Sequence, residues 1–451
     1  MKHKVVLSVL ASSFLLAGLV VPFSLANKEE SRNQVDKSTQ KTDAEAQTIS
    51  LNFPIKGEET NILRSDVVSY IKAMHTQANA IVDDYCLHDF YVTGGANNAQ
   101  GEFTNDTDKV RVTDYASKSV DVEKSKIVTL VFDAVGFEKD AEFTVKYGLK
   151  QDLSDAKEVK TKNTFAEVSQ LYANKTYYWN VTSNGVTSQT ESFKTPDGFR
   201  MMTVPGVTNV RDFGGRPVKN GKHIKQGLIF RGGELVNEDY TDSESGSKHY
   251  ANLNDNNKAI MREEMGIAYD VDFRGASEAG NITESPLKDA DHDVTYTRID
   301  NMPAYTWFYA KLRDGSFPAD KKAGVKDMFM AFKNANEKHV YFHCRGGADR
   351  TGTAGFLLGG LLGMSYTDLI IDYELTSFST NYRPHNITDT SSYYEFPSMI
   401  YEIKHLTKPN SSELYWTATK PISQMFEEIL KDYFSLTDSD ITAIRTNLLE
   451  D

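Results

Sequence analysis

The stretch Val340-Tyr341-Phe342-His343-Cys344-Arg345-Gly346-Gly347-Ala348-Asp349-Arg350-Thr351-Gly352 joins an apolar strand to a helix through a short loop. The loop opens with Cys344 and closes with Arg350, with five residues between them. Two glycines allow so short a loop to curl until its backbone N–H groups point into one concavity. Such a set of donors at the N-terminus of a helix predicts a binding site for a dianion.

The two ends of this loop add chemistry to the predicted anion site. Donors and a helix N-terminus around Cys344 favour its thiolate, which is the nucleophilic form of cysteine. Arg350 carries a planar guanidinium that grips two phosphoryl oxygens at once. An anion site that contains a nucleophile predicts phosphoryl transfer through a phosphocysteine. A buried cysteine that happens to precede a helix is the alternative, but it gives no reason for the spacing.

The pattern His343-Cys344-x-x-Gly347-x-x-Arg350-Thr351-Gly352 resembles the signature loop of the cysteine-dependent protein tyrosine and dual-specificity phosphatases. A bacterial family of these enzymes also carries Asn-x-Arg-Asp-x-Gly-Gly, which residues 209–215 match. The same family has a strand ending in Asp-Leu-Arg-x-x-x-Glu, which 272–278 match with Phe273 in place of leucine. The resemblance covers most of the second half of the chain and implies a cysteine-dependent phosphatase domain.

In that resemblance Cys344 is the nucleophile and Arg350 clamps the phosphoryl group. His343 orients the loop and tunes the thiolate, and Thr351 donates a hydrogen bond to the sulfur as it leaves. Backbone N–H groups hold the equatorial oxygens of the phosphoryl group. The predicted phosphate-binding residues are Arg345, Gly346, Gly347, Ala348, Asp349 and Arg350.

A general acid must protonate the leaving oxygen, and the sequence offers two candidates. Asp349 lies inside the loop, as in family members with Lys-Asp-Arg, and Asp300 follows a predicted strand. Arg274 and Glu278 are predicted to form a structural ion pair. Ala348 stands where those relatives have lysine, which makes a multiply phosphorylated phosphoinositide a poorer substrate prediction than a phosphoprotein.

Composition limits the classes of partner and compartment. The chain has 451 residues and a formal net charge of −13, which argues against nucleic acid and an anionic membrane as partners. Residues 1–26 read as a secretory signal peptide, so we expect a secreted protein, with an uncleaved membrane anchor as the alternative. Cys344 is needed as a free thiolate, so we expect no structural disulfide with Cys86, although a reversible regulatory bridge stays open.

The first half of the chain divides into three predicted regions. Residues 27–50 are polar and are expected to form a disordered linker, and 51–107 are expected to hold a helix and loops. Residues 108–197 show short alternating runs separated by turns, which predict a small all-β sandwich. A Leu171-x5-Tyr177-x-Trp179 strand and a final Phe193-Lys194-Thr195-Pro196 resemble a fibronectin type III module. It would act as a spacer or a protein-docking unit.

Residues 198–451 are expected to form the catalytic domain. Strands alternate with helices there, which predicts an α/β fold with a mostly parallel central sheet flanked by helices. No zinc-ligand spacing occurs, so the predicted hydrolysis needs no metal and no cofactor. The expected substrate is a phosphotyrosine protein or a small phosphomonoester. Alternatives are a phosphoinositide or phytate phosphatase, a rhodanese-type sulfur transferase, and a phospho-ligand binding protein without activity.

Overall fold

A computed structural model describes residues 46–85, 110, 112–116, 124–219, 221–237, 253–304, 315–380, 403, 405–417 and 419–450. These residues belong to one structural unit, 46–451. The predicted signal peptide, Cys86 and the stretch 92–107, where glycines and asparagines predict a loop, lie outside the described residues. So does most of 395–404, where the sequence predicts a helix.

Two antiparallel sheets form the first part. The strands are β1 Thr48–Phe53, β2 Val128–Val135, β3 Phe143–Gly148, β4 Lys157–Thr161, β5 Phe165–Val168, β6 Thr176–Ser183, β7 Val186–Thr187 and β8 Glu191–Lys194. One sheet has the order β1-β2-β5, and the other β4-β3-β6-β7 with β8 also paired to β6. Alternate side chains of β2 and β6 are buried, among them Phe132 and Trp179, as a half-buried strand requires. A fibronectin type III-like assignment of these sheets stays a prediction.

The sheets begin earlier in the chain than the sequence indicated. Thr48–Phe53 pairs with β2, so the linker predicted for 27–50 ends before Thr48. The run Val110-Arg111-Val112 predicts a strand, and this prediction is wrong, because Val112–Asp114 forms a 3₁₀ turn. Between β1 and β2 the chain forms helix α1, Ser65–Tyr85, as the apolar spacing at 61–85 predicted. The first strand and the rest of its sheet therefore lie on opposite sides of α1 in sequence.

The second part is built on a mixed sheet. Its strands are β9 Arg200–Met201, β10 Arg211–Asp212, β11 Ile229–Gly232, β12 Ile267–Asp272, β13 Thr295–Arg298 and β14 His339–His343. Their order is β13-β12-β14-β11-β10-β9. The four strands β13, β12, β14 and β11 are mutually parallel, and β10 pairs antiparallel with both β11 and β9. The prediction of a mostly parallel sheet is confirmed.

Helices accompany this sheet. They are α2 Asp255–Ala259, which continues into a π turn at Ile260–Glu264, α3 Ala319–Lys333, α4 Asp349–Leu362, α5 Tyr366–Glu374, α6 Ile422–Phe434 and α7 Asp438–Leu448. Helix α4 is buried almost throughout and packs against α5 and α6. Thr437, not Asp438 as the sequence suggested, caps α7, because its hydroxyl accepts from the N–H of Asp440.

Direct contacts join the two parts. The side-chain amide of Gln226 makes two hydrogen bonds of 2.8 Å with the backbone of Ala173. Arg200 donates to the carbonyl of Gln170 at 2.7 Å, and its guanidinium lies over the ring of Tyr172. Helix α1 packs against α5. The β-sheets therefore rest on the α/β part instead of being linked to it by a free spacer.

Candidate active site

The loop at 344–348 leaves the centre of the mixed sheet. Strand β14 lies between β11 and β12, parallel to both, and Val340, Tyr341, Phe342 and His343 are all buried. Apolar residues on both faces are what a central parallel strand requires. Because parallel strands end at one edge, the turns after β11, β12 and β14 meet around Cys344, which is 2% exposed. This edge is where open α/β sheets hold ligands.

Close packing fixes the conformation of the loop. Gly347 has φ +68°, in the left-handed region that favours glycine. A Cβ at this position would lie 2.4 Å from the carbonyl oxygen of Gly232. The loop therefore follows the end of β11 at a distance that only glycine permits.

The carbonyl groups of the loop are bonded on its outer side. The carbonyl of Cys344 accepts from Nδ1 of His343 at 3.2 Å, and that of Arg345 from the N–H of Glu234 at 3.0 Å. Asn209 Nδ2 donates to the carbonyls of Gly346 at 3.2 Å and Gly347 at 3.1 Å. In a trans peptide the C=O and N–H point in opposite directions. Bonding four consecutive carbonyls outward therefore turns the next four N–H groups, 345–348, towards the opposite side, as an anion site needs.

Arg350, at the start of α4, is held by Glu278. Its two terminal nitrogens donate to the two carboxylate oxygens of Glu278 at 2.8 and 2.7 Å, and one also donates to the carbonyl of Phe273. Burial lowers the pKa of Arg350, but Glu278, Cys344 and Asp349 together outweigh burial and raise it above its ordinary value. A guanidinium has five N–H donors, so these three contacts leave two for an oxyanion.

This pairing corrects the ion pair predicted between Arg274 and Glu278. Arg274 turns back to Asp272 at the end of its own strand, at 2.8 Å, and to Glu234 at 3.1 Å. The turn after β12 instead carries Glu278 to Arg350. Glu278 therefore belongs to the candidate site, whereas Arg274 belongs to its buried support.

His343 lies next to Cys344 and between two carboxylates. Nε2 donates to Asp270 at 2.9 Å, Nδ1 donates to the carbonyl of Cys344, and Asp272 lies 3.8 Å from Nδ1. Burial lowers the pKa of His343, but the carboxylates of Asp272 and Asp270 outweigh it and raise the pKa above the ordinary value. The raised pKa favours the imidazolium form, whose charge would favour a thiolate on the next residue.

The remaining predicted residues lie around the loop at different depths. Ala348 is buried at the N-cap of α4, and Arg345, Gly346 and Asp349 are half-buried. Thr351 is fully buried, and its hydroxyl has no hydrogen-bond partner among the described atoms. Asp300 is exposed in a turn after β13, at the same edge of the sheet but beyond β12. Of the two acid candidates, only Asp349 is part of the loop.

Three supporting residues were not predicted from the sequence. Asn209 ties the loop as described above. Arg231, at the end of β11, donates to the carbonyl of Gly347 at 2.9 Å and also to Asp372 of α5. For Arg231 and Asp372 the sequence does hold a signal, which is an ionisable residue inside an apolar run: Ile229-Phe230-Arg231 and Ile370-Ile371-Asp372. Such a residue needs a buried partner.

Other features of the described residues lie away from the loop. A cavity of about 480 Å³ is lined by parts of α1, the 196–199 connection and Asp368 of α5, and by no residue of 343–351. No group of His, Cys, Asp and Glu in the described ranges is arranged to hold a metal ion. No helix within them has both the length and the apolar character to cross a membrane.

Comparison with known proteins agrees with this geometry. A family model described as the tyrosine phosphatase family matches residues 202–450, more than half of the chain. A protein of Cupriavidus necator, provisionally named as a tyrosine-protein phosphatase, is 24% identical over 206 residues. That similarity covers 43% of this chain and 69% of the relative.

Proposed function

Because the chain belongs to the tyrosine phosphatase family, we propose that it hydrolyses phosphomonoesters, with phosphotyrosine in proteins as the foremost substrate, through a phosphocysteine on Cys344. One observation carries the proposal. The buried Cys344 lies beside a loop whose four outward-bonded carbonyls direct the N–H groups of 345–348 to the other side. Phosphate ester hydrolysis depends mainly on such positioning and charge stabilisation.

The proposed reaction has two displacements. The Cys344 thiolate attacks phosphorus, the P–O bond of the ester breaks, and Asp349 gives its proton to the leaving oxygen. A water molecule then attacks phosphorus, Asp349 takes its proton, and the P–S bond breaks to give inorganic phosphate and the thiolate. Arg350 and the loop N–H groups stabilise the equatorial oxygens in both steps, and the Thr351 hydroxyl donates to the departing sulfur.

The nucleophile is tested with purified residues 27–451 on p-nitrophenyl phosphate and on phosphotyrosine and phosphoserine peptides, with a chelator present. Cys344→Ser is expected to lower kcat by roughly 10⁴-fold or more, and the chelator is expected to change nothing. Hydrolysis that survives in Cys344→Ser would refute the phosphocysteine. Binding of phosphopeptides without any wild-type turnover would favour a phospho-ligand binding protein instead.

The acid is tested by matched substitutions of the two candidates. Asp349→Asn is expected to lower kcat by about 10²-fold, with a larger loss on phenyl phosphate than on p-nitrophenyl phosphate, because the poorer leaving group depends more on protonation. Asp300→Asn is the control and is expected to change both substrates little. The reverse result would assign the proton to Asp300.

Substrate class rests on Ala348. A lysine there would add charge for multiply phosphorylated ligands, so Ala348→Lys is expected to raise activity on phosphoinositides and phytate relative to phosphotyrosine. Unchanged ratios of these activities would contradict this expectation.

The sequence of residues 1–26 supports export of the protein. The position of the β-sheets beside the α/β part supports a contact with another protein through those sheets.

A further inference from the structure

Behind the phosphate loop, three buried arginines share one carboxylate. Asp372 accepts from Arg211 at 3.0 Å, from Arg216 at 2.5 Å and from Arg231, and all four side chains are buried. We call Arg211, Arg216, Arg231 and Asp372 the arginine cluster. Burial raises the pKa of Asp372, but the three neighbouring arginines lower it by more, so the pKa lies below the ordinary value. The carboxylate is therefore charged, and the cluster has two positive charges in excess.

Two further carboxylates, Asp212 and Asp368, act on Arg216, but each has a partner outside the cluster. Asp212 is held by Arg200 at 2.7 Å and by the N–H groups of Gly214 and Gly227. Asp368 pairs with His75 of α1 at 2.8 Å. Burial and repulsion by Arg231 lower the pKa of Arg211 to about 9, which is the effect that confined like charges have on one another.

The cluster reaches the loop by two routes. Arg231 donates directly to the carbonyl of Gly347. Arg211 donates to Oδ1 of Asn209 at 2.5 Å, and Nδ2 of the same amide donates to the carbonyls of Gly346 and Gly347. Both routes end on peptide groups whose N–H ends point to the anion side. The cluster thus fixes the orientation of these peptides and polarises them towards that side.

The other charges around Cys344 do not supply a positive field. Arg345 and Arg350 of the loop, Arg274 of the β12 turn and His343 are the cations named at the site. Five carboxylates face them: Asp270, Asp272, Glu234, Glu278 and Asp349. Without Asp349, which the proposed reaction needs in its protonated form, four cations face four carboxylates, within a chain whose net charge is −13. Among the described residues, the two excess charges of the cluster add a positive field to this balanced set.

We infer that the arginine cluster is the source of the positive field that keeps Cys344 as a thiolate and attracts the phosphate dianion. Its members are positioning residues, because none of the described contacts brings them to the reacting atoms. The inference rests on the role of Cys344 proposed above. In this arrangement Asp372 holds three arginines in place but neutralises only one of their three positive charges.

The test measures the pH at which Cys344 becomes reactive towards iodoacetamide. Arg231→Met removes one positive charge, and the midpoint is expected to rise by about one pH unit. Inorganic phosphate is expected to protect the thiol about tenfold less well. Arg231→Lys keeps the charge and is expected to move the midpoint by less than about 0.3 unit. Arg445→Met removes an arginine that donates to the carbonyl of Leu361, at the opposite end of α4 from the loop, and it is expected to leave the midpoint unchanged.

The direction in which a second substitution moves the alkylation midpoint of Cys344 distinguishes an electrostatic role of the cluster from a merely structural one. Asp372→Asn removes a negative charge, so the field explanation expects the midpoint to fall. A displaced loop would instead raise the midpoint in Asp372→Asn as it does in Arg231→Met. A rise in both variants, or no change in Arg231→Met, would overturn the inference.

A measurement on the wild-type protein covers the case in which these variants do not fold. Buried charges are screened little by salt, whereas exposed charges are screened strongly. The midpoint is therefore expected to move by less than about 0.3 unit between about 0.05 M and about 0.5 M salt. A shift of about one unit would place the field on exposed groups and refute the inference. Alkylation of Cys344 does not require catalytic turnover. If the wild type showed these midpoints but hydrolysed no phosphomonoester, the proposed function would be refuted and the inference about the arginine cluster would stand.

Discussion

At the residue scale, Gly347 has neither the conformation nor the space for a side chain. Its φ of +68° disfavours other residues, and a Cβ would meet the carbonyl of Gly232 at 2.4 Å. Gly347→Ala is therefore expected to push the loop away from β11 and to lower kcat/KM by roughly 100-fold. Gly315→Ala is the control, because Gly315 also has a positive φ but has open space around it. Equal activity losses in the two variants would contradict the packing argument.

Glu278 offers a second prediction at this scale. Glu278→Gln removes the charge that orients Arg350 and is expected to lower kcat/KM roughly 10- to 100-fold. Glu284→Gln, which alters an exposed pair with Lys288, is expected to have no effect. Burial raises the pKa of Glu278, but Arg350 lowers it further, to below the ordinary value. The pair is thus complete above the ordinary pKa of glutamate and is lost as pH falls through the lowered one.

A pH profile of the Glu278→Gln variant checks this sign. The difference in kcat/KM between wild type and variant should be constant above pH ~5 and should shrink only in acid. A difference that grows as the pH falls would show that Glu278 does not act as a carboxylate.

The spacing of single residues predicted some contacts and not others. Cys344 and Arg350 are close in sequence, so the strand, loop and helix around them were enough to bring them together. The partner of Glu278 depends on the turn at 275–280, and a spacing of four residues wrongly favoured Arg274. The arginine cluster joins three separate segments through Asp372, and the choice of partner among buried charges is made only when those segments pack.

At the element scale, alternation of apolar residues was the signal that worked. Strands β2, β3 and β6 bury alternate side chains and lie within 108–197, where alternating runs predicted a β-sandwich. Strand β4, Lys157–Thr161, is largely exposed and has no apolar alternation, so it was missed. Strand β1 was assigned in part to a linker because the sequence before it is polar.

Helix α7 gives a prediction for a single element. The Thr437 hydroxyl caps it, and the Asp440 carboxylate accepts from the N–H of Thr437 in return. Thr437→Ala is expected to lower the free energy of unfolding by about 1 kcal/mol, measured by urea denaturation. Ser439→Ala, at an exposed neighbouring hydroxyl, should change it by less than about 0.5 kcal/mol. Equal costs in the two variants would show that the cap does not stabilise the fold.

At the scale of the whole molecule, helix α1 connects the first sheets to the α/β part. His75 of α1 pairs with Asp368 of α5 at 2.8 Å. The hydrogen bond to Asp368 raises the pKa of His75 above its ordinary value, although burial opposes it. A raised folded pKa means that the pair contributes its full stability below pH ~6.5, and that this contribution is lost as pH rises through the folded value.

His75→Gln tests this connection. The variant is expected to lose a few tenths of a kcal/mol at pH ~5.5, because the half-exposed imidazole is screened by solvent, and nothing at pH ~9. Urea denaturation at the two pH values measures the difference. His292→Gln, whose partner Asp289 lies in the same turn, is the control for a purely local pair. A cost that is larger at pH ~9 would refute the assigned sign.

The position of α1 between β1 and β2 also bears on how this protein can be cut and recombined. From the sequence, residues 198–451 are expected to form a catalytic domain that could be exchanged on its own. Their α5 face is nevertheless covered by helix α1, which lies in sequence between strands β1 and β2 of the other sheet. A graft of the catalytic region alone would expose that face, and a deletion from the N-terminus would take away an edge strand before it reached α1. We therefore expect exchange of whole segments to succeed only when the junction lies upstream of Thr48.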